Sequence, residues 1–203
     1  MKKIKYSEIT PEKIYNNRRS FIKSIGFSAS SLAITSLPFI NNALGKEQDK
    51  LTSYKDITTY NNYYEFGTSK GDPYKNSQNF KTKPWEISIE GEVEKPIKIS
   101  MDEISKSFTS EERIYRLRCV EGWSMVIPWM GFSLSKLLSK VNPTSKAKFV
   151  AFESVYDPEQ MKGQRYPVLN WPYKEGLRID EAMHPLTTVV TGLYNKELPN
   201  QNG

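Results

Sequence analysis

The sequence predicts an α+β fold in which short strands are mixed with short helices. Apolar residues alternate over several short stretches, as strands require, and other stretches show helical spacing behind a capping residue. The elements do not follow a regular order of strand, helix and parallel strand, so a doubly wound sheet is not expected. Residues 46–203 are numerous enough for one domain with its own hydrophobic core.

The first 45 residues are expected to be an export signal and not part of this domain. Basic residues are followed by an uncharged run over 24–45, in the order found in secretory signals. The pair Arg18-Arg19, followed by Ser-Phe-Ile-Lys, resembles the twin-arginine export motif, with Asn17 where Ser or Thr is usual. A membrane span needs about 20 mostly apolar residues, and this run is shorter and rich in serine. We therefore predict a twin-arginine signal over 1–45 and a periplasmic protein.

The basic charge of the chain is concentrated in this signal. The formal net charge is +6, from 29 Lys/Arg and 23 Asp/Glu, and residues 1–45 hold seven of the former and two of the latter. The rest of the chain is thus almost neutral, with 22 basic and 21 acidic residues. Nucleic-acid binding normally requires a basic surface, so we predict no nucleic-acid partner.

Residues 46–83 read as a long irregular arm, because they are polar and contain the turn signals Gly67 and Gly71-Asp72-Pro73. Within this arm, residues 60–67 combine aromatic, amide and acidic side chains. Such a loop suits a polar ligand, and it equally suits an aromatic contact that attaches the arm to the core.

The next elements are two short strands and a helix. Residues 85–89 alternate as a strand, and the apolar positions of 93–99 form a second strand after Gly91. Ser100 and Glu103 have the spacing of a capping box, which predicts a helix from there to Phe108.

The most informative stretch contains Cys119, the single cysteine. Tyr115, Leu117 and Cys119 alternate with Arg116 and Arg118, which indicates a strand with the thiol at its end. A turn at 121–122 and an apolar segment broken by Pro128 follow. A lone cysteine is usually a small buried hydrophobe. In an exported protein it has no partner for an internal disulfide, so a reactive or metal-bound thiolate is the alternative.

The remaining chain predicts a helix, two strands and several loops. We expect a helix over 132–141 with Ser133 as its N-cap, a strand over 148–155, a loop and extended region over 157–176, a single helical turn capped by Asp180, and a buried strand over 186–194. The chain stops at Asn202-Gly203, a turn dipeptide that follows a strand, and for this reason we expect the sequence to be incomplete.

Several common sites are excluded by their missing motifs. The sequence has no CxxC, no GxGxxG and no phosphate-binding loop. His184 is the single histidine, so a histidine-based zinc site is ruled out, and without a GxSxG elbow we interpret His184 as structural.

Motifs spread along the chain resemble those of one enzyme family, the catalytic subunits of periplasmic protein-methionine-sulfoxide reductases (the MsrP or YedY family). The resemblance runs from the twin-arginine signal to the last residue and keeps the family's order. Its motifs lie at residues 61–67, 116–125, 151–154, 158–161, 175–178 and 198–203.

This resemblance implies a sulfite-oxidase-like domain that binds molybdenum through molybdopterin. Cys119 stands at the family's molybdenum-ligating cysteine, a role that suits a soft thiolate donor. The positions implied to bind the pterin are Asn61, Tyr64, Glu65, Ser154 (where the family usually has Thr) and Asn202. The family continues beyond this point with further cofactor-binding residues. Arg116 and Arg118 either balance the charge of the cofactor or face solvent.

The implied activity is reduction of methionine sulfoxide residues in oxidised periplasmic proteins, with electrons from a membrane haem-binding subunit. Three alternatives stay open. The first is a sulfite dehydrogenase of the same fold, although an anionic substrate would favour basic residues where 121–123 reads Glu-Gly-Trp. The second is a cofactor-free exported binding protein in which Cys119 only fills space. The third is an inactive truncated product.

Overall fold

A computed structural model describes residues 50–203, so the predicted signal over 1–45 lies outside the described residues. No helix in the described part of the chain has the length and apolar character that crossing a membrane requires. The elements, in chain order, are α1 (Tyr54–Thr59), α2 (Asp72–Asn76), β1 (Glu86–Ile89), β2 (Ile97–Ser100), α3 (Met101–Ser107), β3 (Glu111–Arg118), β4 (Ser124–Ser133), α4 (Leu134–Val141), β5 (Phe149–Glu153), β6 (Lys174–Arg178), α5 (Ile179–Ala182), β7 (Thr188–Leu193) and β8 (Lys196–Glu197), with 3-10 turns at Tyr64–Phe66, Lys162–Arg165 and Asn200–Asn202.

The central sheet has four strands in the order β3-β4-β7-β8, and every pair is antiparallel. Two further antiparallel pairs, β1-β2 and β5-β6, lie outside it. The longest pairing joins β3 to β4, from Glu111 opposite Gly131 to Arg118 opposite Ser124. This hairpin therefore ends beside Cys119.

The predicted alternation along β3 is confirmed. Tyr115 and Leu117 are half-buried, whereas Arg116 and Arg118 are exposed. The strand break expected at Pro128 is wrong, because Pro128 lies inside β4, a continuous strand of ten residues. Pro128 lies where the β4-β7 ladder ends, and its carbonyl still accepts a hydrogen bond from Tyr194 N at 3.0 Å. A proline at a ladder end removes little hydrogen bonding, so the strand tolerates it.

The capping box before α3 is confirmed and fixes this helix over one part of the core. Ser100 Oγ accepts from Glu103 N at 3.2 Å, and Glu103 Oε2 accepts from Ser100 N at 2.9 Å. The helix then packs Ile104 into a cluster where the rings of Phe108 and Phe132 stack with centroids 4.3 Å apart. Phe132 lies at the end of β4, so this cluster connects the α3 region to the central sheet.

A second cluster attaches the arm to the central sheet. Ile57 of α1, Ile127 of β4 and Leu193 of β7 are all buried and pack together, with Leu117 against them. Each fully buried apolar side chain contributes about 2 kcal/mol by leaving water. Since Ile57 belongs to this cluster, the backbone of α1 is held at a defined place beside the thiol hairpin.

Three sequence expectations need correction. Residues 46–83 are not an irregular arm, because α1 and α2 lie within them. The loop and extended region over 157–176 is not free of regular structure, since it contains the 3-10 turn Lys162–Arg165 and the first residues of β6. The helical turn over Ile179–Ala182 is capped by Arg178 and not by Asp180, and Arg178 N donates to Glu181 Oε2 at 2.9 Å. The helix predicted over 132–141 begins after Ser133, as expected.

Candidate functional site

The β3–β4 turn holds the thiol of Cys119 at the end of the central sheet. Cys119 N donates to Trp123 O at 2.9 Å, and Gly122 N donates to Cys119 O at 2.9 Å. Gly122 has a φ of +81°, a conformation that favours glycine and closes the turn. Cys119 is half-buried, while its neighbour Val120 is 93% exposed. The backbone of Cys119 is thus fixed at the end of a regular ladder, and its side chain is partly accessible.

Two side-chain contacts join this turn to residues 60–70. Glu121 Oε1 lies 2.9 Å from Lys70 Nζ, and the rings of Tyr60 and Trp123 meet edge to face with centroids 6.5 Å apart. Both contacts come from residues within four positions of Cys119. The thiol turn and the 60–70 segment are therefore neighbours, as the site assignment requires.

Asn61 and Asn202 converge on one backbone carbonyl. Their side-chain amides both donate to Ile57 O, Asn61 at 3.1 Å and Asn202 at 3.2 Å. Because the NH₂ groups are used in this way, the two oxygens are fixed as acceptors. Both Oδ1 atoms are buried and have no hydrogen-bond partner among residues 50–203. An unpaired buried polar atom costs about 1–3 kcal/mol, so two side by side point to a ligand that supplies donors.

The end of α1 explains why amides gather there. The last carbonyls of a helix have no partner inside it, and Ile57 O and Thr58 O are such groups. Gln201 Nε2 donates to Thr58 O at 2.9 Å, while Asn200 Nδ2 donates to Ser77 O at 2.8 Å. Three consecutive amides, at positions 200–202, thus fasten the 3-10 turn Asn200–Asn202 to α1 and α2. Sequence reasoning missed Asn200 and Gln201, although the run of amides was the available signal.

Tyr64 and Glu65 lie in a 3-10 turn that packs tightly against the turn Lys162–Arg165. A Cβ placed on Gly163 would meet Tyr64 O at 1.9 Å, so only glycine allows this approach. The Glu65 side chain is buried, and burial raises its pKa above the ordinary value despite an opposing hydrogen bond from its own backbone N–H. Tyr64 OH accepts from Lys70 Nζ at 3.2 Å, which links this turn to the thiol turn.

Ser154 lies beside Tyr173, at one end of the β5–β6 pair. Ser154 is exposed just beyond β5, and its N–H donates to Tyr173 O at 2.9 Å. A hydrogen bond to Glu175 is the main cause that raises the pKa of Tyr173, with smaller effects from burial and from nearby charges that include Glu65. The backbone hydrogen bond thus places Ser154 beside Tyr173, next to the start of β6.

The chemistry of these groups fits a molybdenum–molybdopterin cofactor. A thiol supplies the soft donor that suits molybdenum, and a pterin carries amino and ring N–H groups of the kind that the Asn61 and Asn202 oxygens accept. Within the described residues, no group of three or more His, Cys, Asp and Glu side chains is arranged to hold a metal ion. Arg116 and Arg118 are exposed, in line with one of their two interpretations, and a part in balancing the charge of the cofactor stays a prediction.

Comparison with known protein families first shows the class of protein to which the chain belongs. Residues 74–203 match the family model described as the oxidoreductase molybdopterin binding domain. The matched part includes Cys119, Ser154 and Asn202, and the Asn61–Glu65 segment precedes it. The chain therefore contains a molybdopterin-binding oxidoreductase domain, and the predicted sulfite-oxidase-like α+β fold is confirmed.

Relatives with similar sequences identify the family within this class. A protein from Xanthomonas axonopodis pv. citri, named protein-methionine-sulfoxide reductase catalytic subunit MsrP, is 50% identical over 97% of this chain and 65% of its own length. The protein of that name from Pseudomonas syringae pv. tomato is 46% identical over 98% of this chain and 67% of its own length. The chain thus belongs to the MsrP family and spans about two thirds of the length of these relatives.

One solved structure also aligns with the chain. The sulfane dehydrogenase SoxCD from Paracoccus pantotrophus superposes over 95% of this chain and 53% of that one, with a TM-score of 0.49 and 13% identity.

Proposed function

We propose that this protein is a molybdenum-cofactor oxidoreductase that reduces methionine sulfoxide residues of periplasmic proteins to methionine. The observation that carries this proposal is the pair of buried, unpaired oxygens of Asn61 and Asn202, together with two contacts that join the 60–70 segment to the turn of the half-buried thiol. Identity of 46–50% to proteins named MsrP over almost the whole chain supports the substrate class.

Each of the predicted residues has a defined part in this proposal. Cys119 holds the molybdenum through its thiolate, while Asn61 and Asn202 accept hydrogen bonds from the pterin through their Oδ1 atoms. Tyr64, Glu65 and Ser154 complete the pterin-binding surface. When bound, the cofactor supplies the two-electron chemistry that removes the oxygen of a sulfoxide.

The protein itself orients the cofactor and leaves space for a large substrate. The β3–β4 hairpin fixes the thiol, so the metal position is set by a regular ladder and not by a mobile loop. Val120, beside the thiol, is 93% exposed, and Trp123 stands against Tyr60 at the same turn. An open thiol turn with aromatic side chains suits a methionine sulfoxide on the surface of another protein.

The cellular arrangement follows from the same proposal. The twin-arginine signal over 1–45 would export the protein already folded around its cofactor to the periplasm. A membrane haem-binding subunit would provide the electrons, and oxidised periplasmic proteins would be the substrates.

The test measures metal content and two activities in the protein produced from its whole coding sequence. We expect about one molybdenum per chain, and reduction of protein-bound methionine sulfoxide with a viologen dye as electron donor. Because even partners of metal ligands change metal affinity about 10–100-fold, Cys119→Ser should lower the activity at least about 100-fold and remove the metal.

A matched control and two contrary outcomes complete this test. Ser88→Ala, on the exposed face of β1, should keep both metal and activity. Metal retained without the Cys119 thiol would contradict the assignment of the ligand. Oxidation of sulfite without reduction of the sulfoxide would instead favour a sulfite dehydrogenase of the same fold.

A further inference from the structure

Lys70 connects three side chains at the border between the pterin-binding segment and the thiol turn. Its ammonium group donates to Glu121 Oε1 at 2.9 Å, to Tyr64 OH at 3.2 Å and to Asn62 Oδ1 at 2.5 Å. It also lies 4.7 Å from the centre of the Tyr64 ring, within the range of a cation–π contact. All three hydrogens of the ammonium group thus have an acceptor.

The backbone of Lys70 is fixed to the same segment. Asn61 N donates to Lys70 O at 2.9 Å, so this carbonyl holds the residue whose side-chain oxygen is buried and unpaired. The side chain of Lys70 then reaches Glu121, 51 positions away in sequence and two residues beyond Cys119. Lys70 therefore contacts both the segment that holds Asn61 (the amide side of the site) and the turn that holds Cys119 (the thiol side).

The ion pair of Lys70 and Glu121 is less exposed than a second ion pair on the protein surface. The side chains of Lys70 and Glu121 are 25% and 31% exposed, against 66% and 57% for Lys174 and Glu153, whose charged atoms are 2.7 Å apart. A freely solvated pair contributes little to structure, because water screens it and its long side chains lose entropy. Lys70 has further partners on its own segment that restrict it, so its pair with Glu121 can hold a geometry.

We propose that Lys70 is a positioning residue, which holds the Cys119–Trp123 turn against the Asn61–Glu65 segment so that thiol and amide oxygens face one cofactor. This inference rests on the proposed function for its last step, the cofactor. Its first step, the restraint on the thiol turn, concerns the protein chain alone and is testable without metal.

The test uses the reactivity of the single cysteine in the full chain produced in cells that make no molybdopterin. The variants are Lys70→Met and Glu121→Gln, and the measurement is the rate at which neutral iodoacetamide alkylates Cys119 at pH 8. If the pair restrains the turn, both variants free the thiol and raise the rate at least about threefold, the size expected for a coupled pair. Lys70→Arg, which keeps charge and donors, should stay closer to the parent protein.

The two variants separate positioning from simple electrostatics. Loss of the lysine charge disfavours a nearby thiolate, whereas loss of the glutamate charge favours it. Electrostatics alone therefore predicts a slower reaction for Lys70→Met and a faster one for Glu121→Gln, and that result would overturn the proposal, as would no change in either. In the positioning case, the double variant reacts no faster than the faster single variant.

Controls keep this result independent of folding and of the proposed function. Lys174→Met breaks the exposed pair and should leave the alkylation rate unchanged, and far-UV circular dichroism checks each variant for folding. Should Lys70→Met fail to fold, Lys70→Gln takes its place, because loss of the lysine charge is the change for which restraint and electrostatics predict opposite rates. Molybdenum content of the same variants, produced with cofactor, then reports the second step: retained metal despite a freed thiol would reject the cofactor role and keep the restraint.

Discussion

The thiol side and the amide side of the candidate site are built in different ways. Cys119 follows a strand and closes a hairpin whose hydrogen bonds join residues close in sequence. Asn61 and Asn202 instead meet at Ile57 O from positions 4 and 145 residues away. The thiol side depends on local backbone order, whereas the amide side also depends on residues 200–202, which are distant in sequence from α1.

This difference has a consequence for stability. Local ladders form with little loss of chain entropy, whereas contacts over long separations require the whole fold. We therefore expect a mutation on the amide side to destabilise the site more than a comparable mutation in the β3–β4 hairpin. The four predictions below measure how strongly the amide side and the turns around it respond to such mutations.

The largest effect is expected for Gly163→Ala. The new methyl group would lie 1.9 Å from Tyr64 O and 2.7 Å from Glu65 O, both backbone atoms that have no room to retreat. Such overpacking should lower the free energy of unfolding by about 3 kcal/mol, measured by urea denaturation.

Gly176→Ala is the matched control for this change. Its methyl group would find only Val150 O, at 3.8 Å, an ordinary contact. Equal stability of the two variants would show that the approach of the two 3-10 turns is not tight.

Gln201→Leu should have the second largest effect. The side chain is 3% exposed and supplies the donor for Thr58 O. A leucine of similar size leaves that buried carbonyl unpaired, which costs about 2 kcal/mol. Thermal unfolding followed by circular dichroism measures the loss, with Asn170→Ala, at an exposed amide away from this contact, as control. A loss no greater than that of the control would mean that the chain end contributes little to the amide side.

Much of the thiol side was predictable, because its signals are local. The alternation of Tyr115 and Leu117 with Arg116 and Arg118 places Cys119 at a strand end, and the hairpin confirms it. The capping box of Ser100 and Glu103 likewise fixes α3 from four residues. These patterns are dictated by neighbours within one turn or one strand, so no tertiary information is needed.

The amide side was less predictable, for physical reasons. The α1 helix has few buried residues, Ile57 and Thr58, and so shows no apolar period, although Ser53 and Asp56 have N-cap spacing and Asp56 N donates to Ser53 Oγ at 3.1 Å. Strand β6 is Lys-Glu-Gly-Leu-Arg, without alternation, and exists because it pairs with β5. The cofactor residues on this side came from resemblance to a family, and neither periodicity nor spacing indicates them.

Asn61→Ala should cost less stability than Gln201→Leu in cofactor-free protein, about 1 kcal/mol. Ile57 O keeps its bond from Asn202, and the unpaired Asn61 oxygen is removed together with its cost. The same change should lower the pterin content of protein made with cofactor, measured by fluorescence of the released and oxidised pterin. Unchanged pterin content would show that this oxygen faces no ligand.

Glu65→Gln gives the smallest effect, in the pH dependence of stability. Burial raises the folded-state pKa of Glu65 above its ordinary value of 4.5, so the folded state binds the proton more tightly than the unfolded state. The stability that this carboxyl contributes is therefore present below pH 4.5 and lost as the pH rises through the folded-state pKa. In cofactor-free protein, the stability of the Glu65→Gln variant should therefore fall less between pH 4 and pH 8 than that of the parent protein. The midpoints of urea denaturation over this pH range measure the difference.

The control for this pH dependence is Glu153→Gln, at an exposed strand position. It should reproduce the parent curve. A glutamine variant at position 65 whose curve also matches the parent would show that this carboxyl is equally solvated in both states.

Ile57 belongs both to the hydrophobic core and to the candidate ligand site, and this couples ligand binding to folding. Its side chain lies in the cluster with Ile127 and Leu193, and its carbonyl receives both asparagine amides. A molecule that hydrogen-bonds the asparagine oxygens therefore stabilises the folded chain by mass action, and the stabilisation grows with the logarithm of its concentration over its dissociation constant. A thermal shift assay on unmodified protein would then serve as a binding titration, and cells short of molybdopterin would hold a less stable, more protease-sensitive form.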